Sequence, residues 1–133
     1  MPKAKQISAW VANRPGMLGA VAEALGAKKV DIRAFMAASL DGKGFVRVVV
    51  DRPAVARRLF EAHGWKTTVD ELLEVRVADE PGALGRVADR LGAAGVNIHY
   101  GYVGTSPRAG EVALFLSVDD PAAAQRSLRS KAR

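Results

Sequence analysis

The sequence of 133 residues contains no cysteine and only two histidines. The lack of cysteine excludes disulfide bonds, a thiol nucleophile and cysteine-based metal sites. Because His63 and His99 do not belong to an HExxH pattern, they make a poor metal site, and we expect neither a metal nor another cofactor. The sequence also lacks a nucleophile elbow, a P-loop and a dinucleotide fingerprint, so we expect no enzymatic activity.

Long apolar runs and a signal sequence are missing as well. No apolar run approaches eighteen residues, which argues against a transmembrane helix and a membrane partner. The first residues have no hydrophobic signal core, so we expect a cytoplasmic protein. The net charge of +6 permits nucleic-acid binding. However, much of the excess lies in terminal lysines and arginines, which are typical of solvated tails.

One stretch of the sequence occurs twice, 66 positions apart and without a gap. Residues 13–32 and 79–98 share 11 identities over 20 positions, and the shared core is a Pro-Gly-x-Leu-Gly motif followed by apolar positions. Such a repeat indicates that the fold contains two copies of one structural unit.

Each copy of this motif predicts a turn that leads into a helix. Asn13 or Asp79 can cap the first free amides, and Pro15 or Pro81 suits the first helical position. Four apolar residues then follow at i, i+3, i+4 and i+7, which is typical of one buried helix face. A glycine follows each proline in this first turn. It either lets a ligand approach the helix amides closely or simply eases the turn.

Alternating apolar and polar residues, and a nearly continuous apolar run over 45–50, predict a βαββαβ unit in each half, over residues 1–70 and 71–133. The predicted strands of the first half are 5–12, 30–39, 45–50 and 65–69, and those of the second are 72–78, 96–104 and 111–118. A second helix follows the third strand of each half, opening at 51–53 and at 119–121. Right-handed crossovers place such strands in the order 4-1-3-2. Because the second half has no fourth strand, the edge of its first strand needs cover from a second chain or from the first half.

The doubled Pro-Gly-x-Leu motif, followed by Val-Asp-Ile or Val-Asn-Ile, resembles the ACT domain over roughly residues 5–130. This resemblance implies an α+β fold of two tandem ferredoxin-like βαββαβ units, with antiparallel sheets, helices on one face and no last strand in the second unit. It implies a stand-alone regulatory protein that binds a small amino acid at the interface between ACT units. A homodimer and a regulated enzyme partner are the further expectations.

The resemblance also implies which residues contact the ligand. They lie in the two strand-to-helix loops and at the start of the strand that follows each helix. They are Asn13, Arg14, Pro15, Gly16, Met17, Leu18, Asp31, Ile32, Asp79, Pro81, Gly82, Ala83, Leu84, Asn97 and Ile98. We expect the loop of the first copy to dominate, with Asn13 and Asn97 as side-chain contacts and Arg14 on a carboxylate. Alternatively, Asn13, Asp31 and Asn97 only cap helices and start strands.

Two other functions are compatible with the sequence. The units can serve as a structural dimerisation or docking module without a ligand. The stretch 43–50 also begins like the RNP1 motif of RNA-binding βαββαβ domains. However, that motif needs stacking aromatics where this chain has Arg47 and Val50, and aromatics make up only 6% of the sequence. RNA binding is therefore the less favoured alternative.

Overall fold

The computed structural model describes residues 3–129, which contain six strands and four helices. In chain order they are β1 (Lys3–Ala12), α1 (Met17–Ala27), β2 (Ile32–Leu40), β3 (Lys43–Val50), α2 (Pro53–Ala62), β4 (Lys66–Ala78), α3 (Ala83–Ala93), β5 (Ile98–Thr105), β6 (Glu111–Val118) and α4 (Pro121–Arg129). The chain divides into two compact units. The first unit is Lys5–Asp70, and the second unit runs from Glu71 onward and includes Lys3 and Ala4.

The sheet of the first unit has the strand order β2-β3-β1-β4, with β4 represented by residues 66–70. β1 and β2 both run antiparallel to β3, and Val48 of β3 faces Ile7 on one side and Phe35 on the other. This arrangement confirms the order 4-1-3-2 that right-handed crossovers predict.

Helices α1 and α2 supply the apolar residues that pack on one face of this sheet. Their buried positions recur with helical spacing, and the residues of β1 and β3 that join this core alternate along each strand. The positions between them are mostly buried as well, Gln6, Ser8 and Val49 among them. The buried core consists of Ile7, Ala9, Val21, Leu25, Val30, Val46, Val48, Val50, Ala56 and Phe60.

The second unit repeats this construction with β4, β5, β6, α3 and α4. β6 lies between β4 and β5 and is antiparallel to both, with Leu114 opposite Val75 and Val103. Its buried core consists of Leu73, Val75, Val87, Leu91, Val96, Leu114, Leu116, Ala124 and Leu128. The sequence repeat is thus reproduced as a repeat of the fold.

Within the second unit, β4 is not an edge strand. Its neighbours are β6 and β1, and Lys3 and Ala4 at the start of β1 belong to this unit. The ammonium Nζ of Lys3 lies 3.8 Å from Oε1 of Glu71, and Ala4 is buried. Lys3 and Ala4 therefore cover part of the edge of β4 within this unit.

One prediction about the strands differs from the structure. The sequence predicted separate strands over 65–69 and 72–78, but Lys66–Ala78 is one strand of 13 residues. Asp70 and Glu71 mark the predicted break, and both are exposed. Because neither glycine nor proline interrupts the chain there, the backbone stays extended and the polar pair projects to solvent.

Candidate functional site

The two Pro-Gly loops have the same backbone geometry. Gly16 precedes α1 with φ of 92°, and Gly82 precedes α3 with φ of 90°. Residues with a Cβ rarely adopt this left-handed conformation, so the backbone itself requires glycine at both positions. A Cβ built on Gly16 would meet no atom within 4 Å. Conformation therefore accounts for this glycine, in line with the simpler of its two explanations.

The predicted helix starts are wrong by two residues. The helices begin at Met17 and Ala83, and no side chain caps either of them by a hydrogen bond. Asn13 instead lies at the centre of a tight turn, in which the amide of Arg14 donates to the carbonyl of Ala12 over 3.0 Å. The amide of Glu80 makes the equivalent bond of 2.9 Å across Asp79. Because Gly16 and Gly82 occupy the N-cap positions, no capping side chain is available there.

A cleft of about 290 Å³ lies beside the loop of the first unit. Asn13 and Arg14 line it from the loop, Met17 and Leu18 from the first turn of α1, and Ser39 from the end of β2. Asn13, Arg14 and Ser39 are exposed. The cleft therefore brings an amide, a guanidinium and a hydroxyl group to the start of an uncapped helix.

The sheet register explains why this cleft is open. Gly44 of β3 faces Val11 of β1 on one side and Ser39 of β2 on the other, and all three residues line the cleft. A Cβ on Gly44 would lie 3.2 Å from the carbonyl oxygen of Val11, closer than most such contacts. The missing side chain thus keeps the strands close and leaves free space beneath the loop.

A second cavity of about 180 Å³ adjoins this cleft between α1 and β2. Both are lined by Leu18 and Val46. Every residue that lines the second cavity is apolar: Leu18, Val21, Ala22, Ile32, Phe35, Val46 and Val48. Leu18 and Phe35 retain 43% and 52% of their accessible surface, so the cavity has an open, apolar mouth.

The loop of the second unit is closed by one of its own side chains. The guanidinium of Arg86 donates to the carboxylate of Glu80 over 2.7 Å, and its Nη1 lies 3.0 Å from the point that a Cβ of Gly82 would occupy. The residue 66 positions earlier is Ala20, which cannot make this contact. The repeated sequence therefore produces an open loop in the first unit and a covered loop in the second.

Asp31 and Asn97 hold equivalent positions before β2 and β5. Their amides donate to carboxylate oxygens of Asp51 and Asp119, each over 3.0 Å. The amides of the same two aspartates donate back to the carbonyls of Asp31 and Asn97 over 3.2 and 3.1 Å. These paired bonds fix the starts of both strands, but they involve only the main chains of Asp31 and Asn97.

The structure distributes the predicted site residues among several places. Asn13, Arg14, Met17 and Leu18 line the cleft, and Ile32 lines the apolar cavity. Pro15 and Gly16 form the turn above the cleft, while Asp31 lies outside its lining. In the second unit, Asp79, Pro81 and Gly82 lie in the covered loop, and Ala83 and Leu84 begin α3. Asn97 precedes β5, and Ile98 is its first residue.

The contributing residues that were missed from the sequence include Ser39, Phe35 and Arg86. Ser39 and Phe35 line the cleft and the cavity, and Arg86 covers the second loop. Ser39 becomes a candidate only once the register places it level with the first loop. Arg86 could have been noticed in the sequence. The two copies share most of this stretch, but Arg86 stands where the first copy has Ala20, one helical turn after the glycine.

Other kinds of site find less support in the described chain. Residues 3–129 contain no group of three acidic or histidine side chains that could hold a metal ion, and none of their helices is long and apolar enough to cross a membrane. Phe45 of the RNP1-like stretch is only 8% exposed, and the Arg47 guanidinium lies 4.3 Å from its ring centre. Its ring is therefore covered where an RNA base would have to stack.

Comparison with protein-family models finds one match, within the second half of the chain. Residues 72–126 match the family model described as the ACT domain. No curated protein sequence is significantly similar to this chain.

Solved structures share the fold at low sequence identity. Protein BT0572 from Bacteroides thetaiotaomicron has a TM-score of 0.86 and 24% identity, covering 97% of this chain and 88% of its own. The ligand-free regulatory subunit of aspartate kinase from Thermus thermophilus has a TM-score of 0.69 and 14% identity, covering 98% and 93%. The corresponding subunit from Thermus flavus has a TM-score of 0.64 and 16% identity, covering 96% and 91%. The similarity to the ACT family model thus covers residues 72–126, and the unit before them repeats the same motif and the same order of strands and helices.

Proposed function

We propose that this protein is a regulatory sensor that binds a small amino acid at the cleft of the first unit. ACT domains are regulatory modules that bind amino acids, and two of the similar structures are regulatory subunits of aspartate kinase. These similarities support the class of function. The choice of ligand and of site is argued from the residues themselves.

The observation that carries the proposal is the uncapped start of α1 beside the cleft. No side chain of the described residues caps this helix, so its first amides are available to an anion, which the helix dipole also favours. Arg14 lines the same cleft and can add a charge-assisted hydrogen bond to a carboxylate. The carboxylate of an amino acid therefore has both main-chain and side-chain donors there.

The ammonium group of the ligand needs acceptors close to the same place. Asn13 and Ser39 line the cleft, and the amide oxygen of the first and the hydroxyl of the second have lone pairs that can accept from an ammonium. The cleft thus offers donors to the carboxylate of a zwitterion and acceptors to its ammonium group. A simple anion would use only the donors, and a simple cation only the acceptors.

The first unit is the better site because a side chain of the second unit lies beside its own loop. Arg86 lies over Gly82 and is paired with Glu80, so a ligand would have to displace that side chain. Asp79 and Glu80 also repel a carboxylate, whereas Asn13 and Arg14 do not. We therefore propose one amino acid per chain.

The wider functional setting stays a prediction. It comprises a site at an interface between ACT units, a homodimer, a regulated enzyme partner and a cytoplasmic location. A docking module without a ligand is the main competing function. It predicts that no amino acid stabilises the protein.

A thermal-shift screen of the full chain against the twenty amino acids at millimolar concentration tests the proposal. A ligand present at 100 times its Kd stabilises the folded protein by about 2.7 kcal/mol, so we expect a clear rise in Tm for at least one amino acid. Arg14→Ala should reduce that rise. The matched variant Glu80→Ala, at the equivalent position of the covered loop, should retain it. If none of the twenty raises Tm, the sensor function is wrong.

A further inference from the structure

We infer that the amino acid bound by the first unit has an apolar side chain of about four to seven carbon atoms, seated in the cavity between α1 and β2. This inference rests on the proposed function. It assigns the side chain of the ligand to the apolar cavity and leaves its charged end in the polar cleft.

The position of the cavity supports this assignment. Leu18 and Val46 line both spaces, so a molecule whose charged groups lie near Asn13 and Arg14 can extend past Leu18 into the apolar cavity. The two groups of an amino acid that differ most in polarity would then each meet a matching surface.

The lining of the cavity decides the chemistry of the side chain. All seven lining residues are apolar, and Val21, Val46 and Val48 among them are almost fully buried. A hydroxyl, amide or charged group placed there would lose its hydrogen bonds to water without finding a partner. The cavity therefore disfavours polar amino acids and favours aliphatic or aromatic ones.

The volume sets the size of the side chain. An apolar cavity of about 150 Å³ in another protein takes up benzene, with six carbon atoms. The cavity here measures about 180 Å³ and is open at Leu18 and Phe35. A leucine, isoleucine or phenylalanine side chain matches this space, whereas glycine and alanine leave most of it empty.

A homologous series of ligands tests the inference directly. The probes are L-alanine, L-2-aminobutyrate, L-norvaline and L-norleucine, which differ by one methylene each, titrated calorimetrically into the full chain. Each buried methylene contributes about 0.8 kcal/mol, which is about a fourfold change in Kd. We expect L-norleucine to bind about 60-fold more tightly than L-alanine.

Filling the cavity provides the second arm of the experiment. Ala22→Leu places extra methyl groups in the cavity and should remove most of the dependence of Kd on chain length. The matched variant Ala88→Leu changes the equivalent residue of α3, which has the same partial burial, and should leave the series unchanged. Thermal unfolding of both variants checks that they are folded. If Ala22→Leu is not, the wild-type series alone decides.

The possible results separate this inference from the proposed function. Equal Kd values along the series, or tight binding of polar amino acids alone, would overturn the inference and leave the sensor function intact. A change of oligomeric state in Ala22→Leu together with a flat series would also overturn it, because the cavity mouth would then belong to a contact between copies. Failure of all twenty amino acids to bind would refute the proposed function itself.

Discussion

Alanine substitutions at Gly16, before α1, and at Gly19, inside α1, should change the free energy of unfolding in opposite directions. Gly16 has φ of 92° and precedes α1, whereas Gly19 lies inside α1, and a Cβ at either position meets no atom within 4 Å. Because neither substitution creates a clash, the difference between them isolates the backbone conformation.

The expected magnitudes follow from that conformation. A residue with a Cβ costs about 1–2 kcal/mol in the left-handed region, so Gly16→Ala should lower the free energy of unfolding by that amount. Alanine is favoured over glycine by about 1 kcal/mol inside a helix, so Gly19→Ala should raise it. The two variants should therefore differ by about 2–3 kcal/mol. Gly82→Ala and Gly85→Ala give the same comparison in the second unit, where a Cβ at Gly82 must also displace the Arg86 side chain.

Urea unfolding followed by circular dichroism measures these differences. With a slope of about 1–3 kcal/mol per molar urea, the midpoints of the two variants should be separated by about 0.7 M or more. If the two variants unfold at the same urea concentration, the loop does not hold Gly16 at a positive φ. The proposed geometry of the cleft would then lose its basis.

Further stability measurements test contacts elsewhere in the fold. Asp51→Ala removes the side-chain acceptor at the start of β2 and should cost about 0.5–1.5 kcal/mol in urea unfolding, whereas the exposed control Asp89→Ala should change little. Arg90→Met removes a 2.9 Å hydrogen bond from α3 to a carbonyl of α4 and should cost about 1–2 kcal/mol, with Arg126→Met nearly neutral. Arg86→Ala breaks an exposed ion pair and should cost less than about 1 kcal/mol, without changing the amino-acid affinity of the first unit. If a control variant loses as much stability as the variant with which it is compared, the contact assigned to that variant is wrong.

The repeat made most of the fold predictable. Its identical spacing placed α1 and α3 to within two residues at their starts, and the nearly continuous apolar run over 45–50 identified the central strand β3. Strand order followed from the handedness of the crossovers. These features are local or topological, and they depend on periodicities that the sequence displays directly.

Details that depend on backbone conformation or on distant contacts were less predictable. Asn13 is a common N-cap residue, but the positive φ of Gly16 moves the start of the helix beyond its reach. The apolar cavity requires Phe35 of β2 to lie level with Ala22 of α1, which only the folded register determines. The closure of the second loop depends on where one flexible side chain, Arg86, comes to rest.

The most direct test of an open first loop is a two-dimensional ¹H–¹⁵N NMR titration of the full chain with L-leucine. The first amides of α1, at residues 17–19, should show the largest shifts. The equivalent amides of α3, at residues 83–85, provide a control within the same molecule and should stay nearly unchanged. Equal shifts in both loops, or shifts confined to other parts of the chain, would contradict the account.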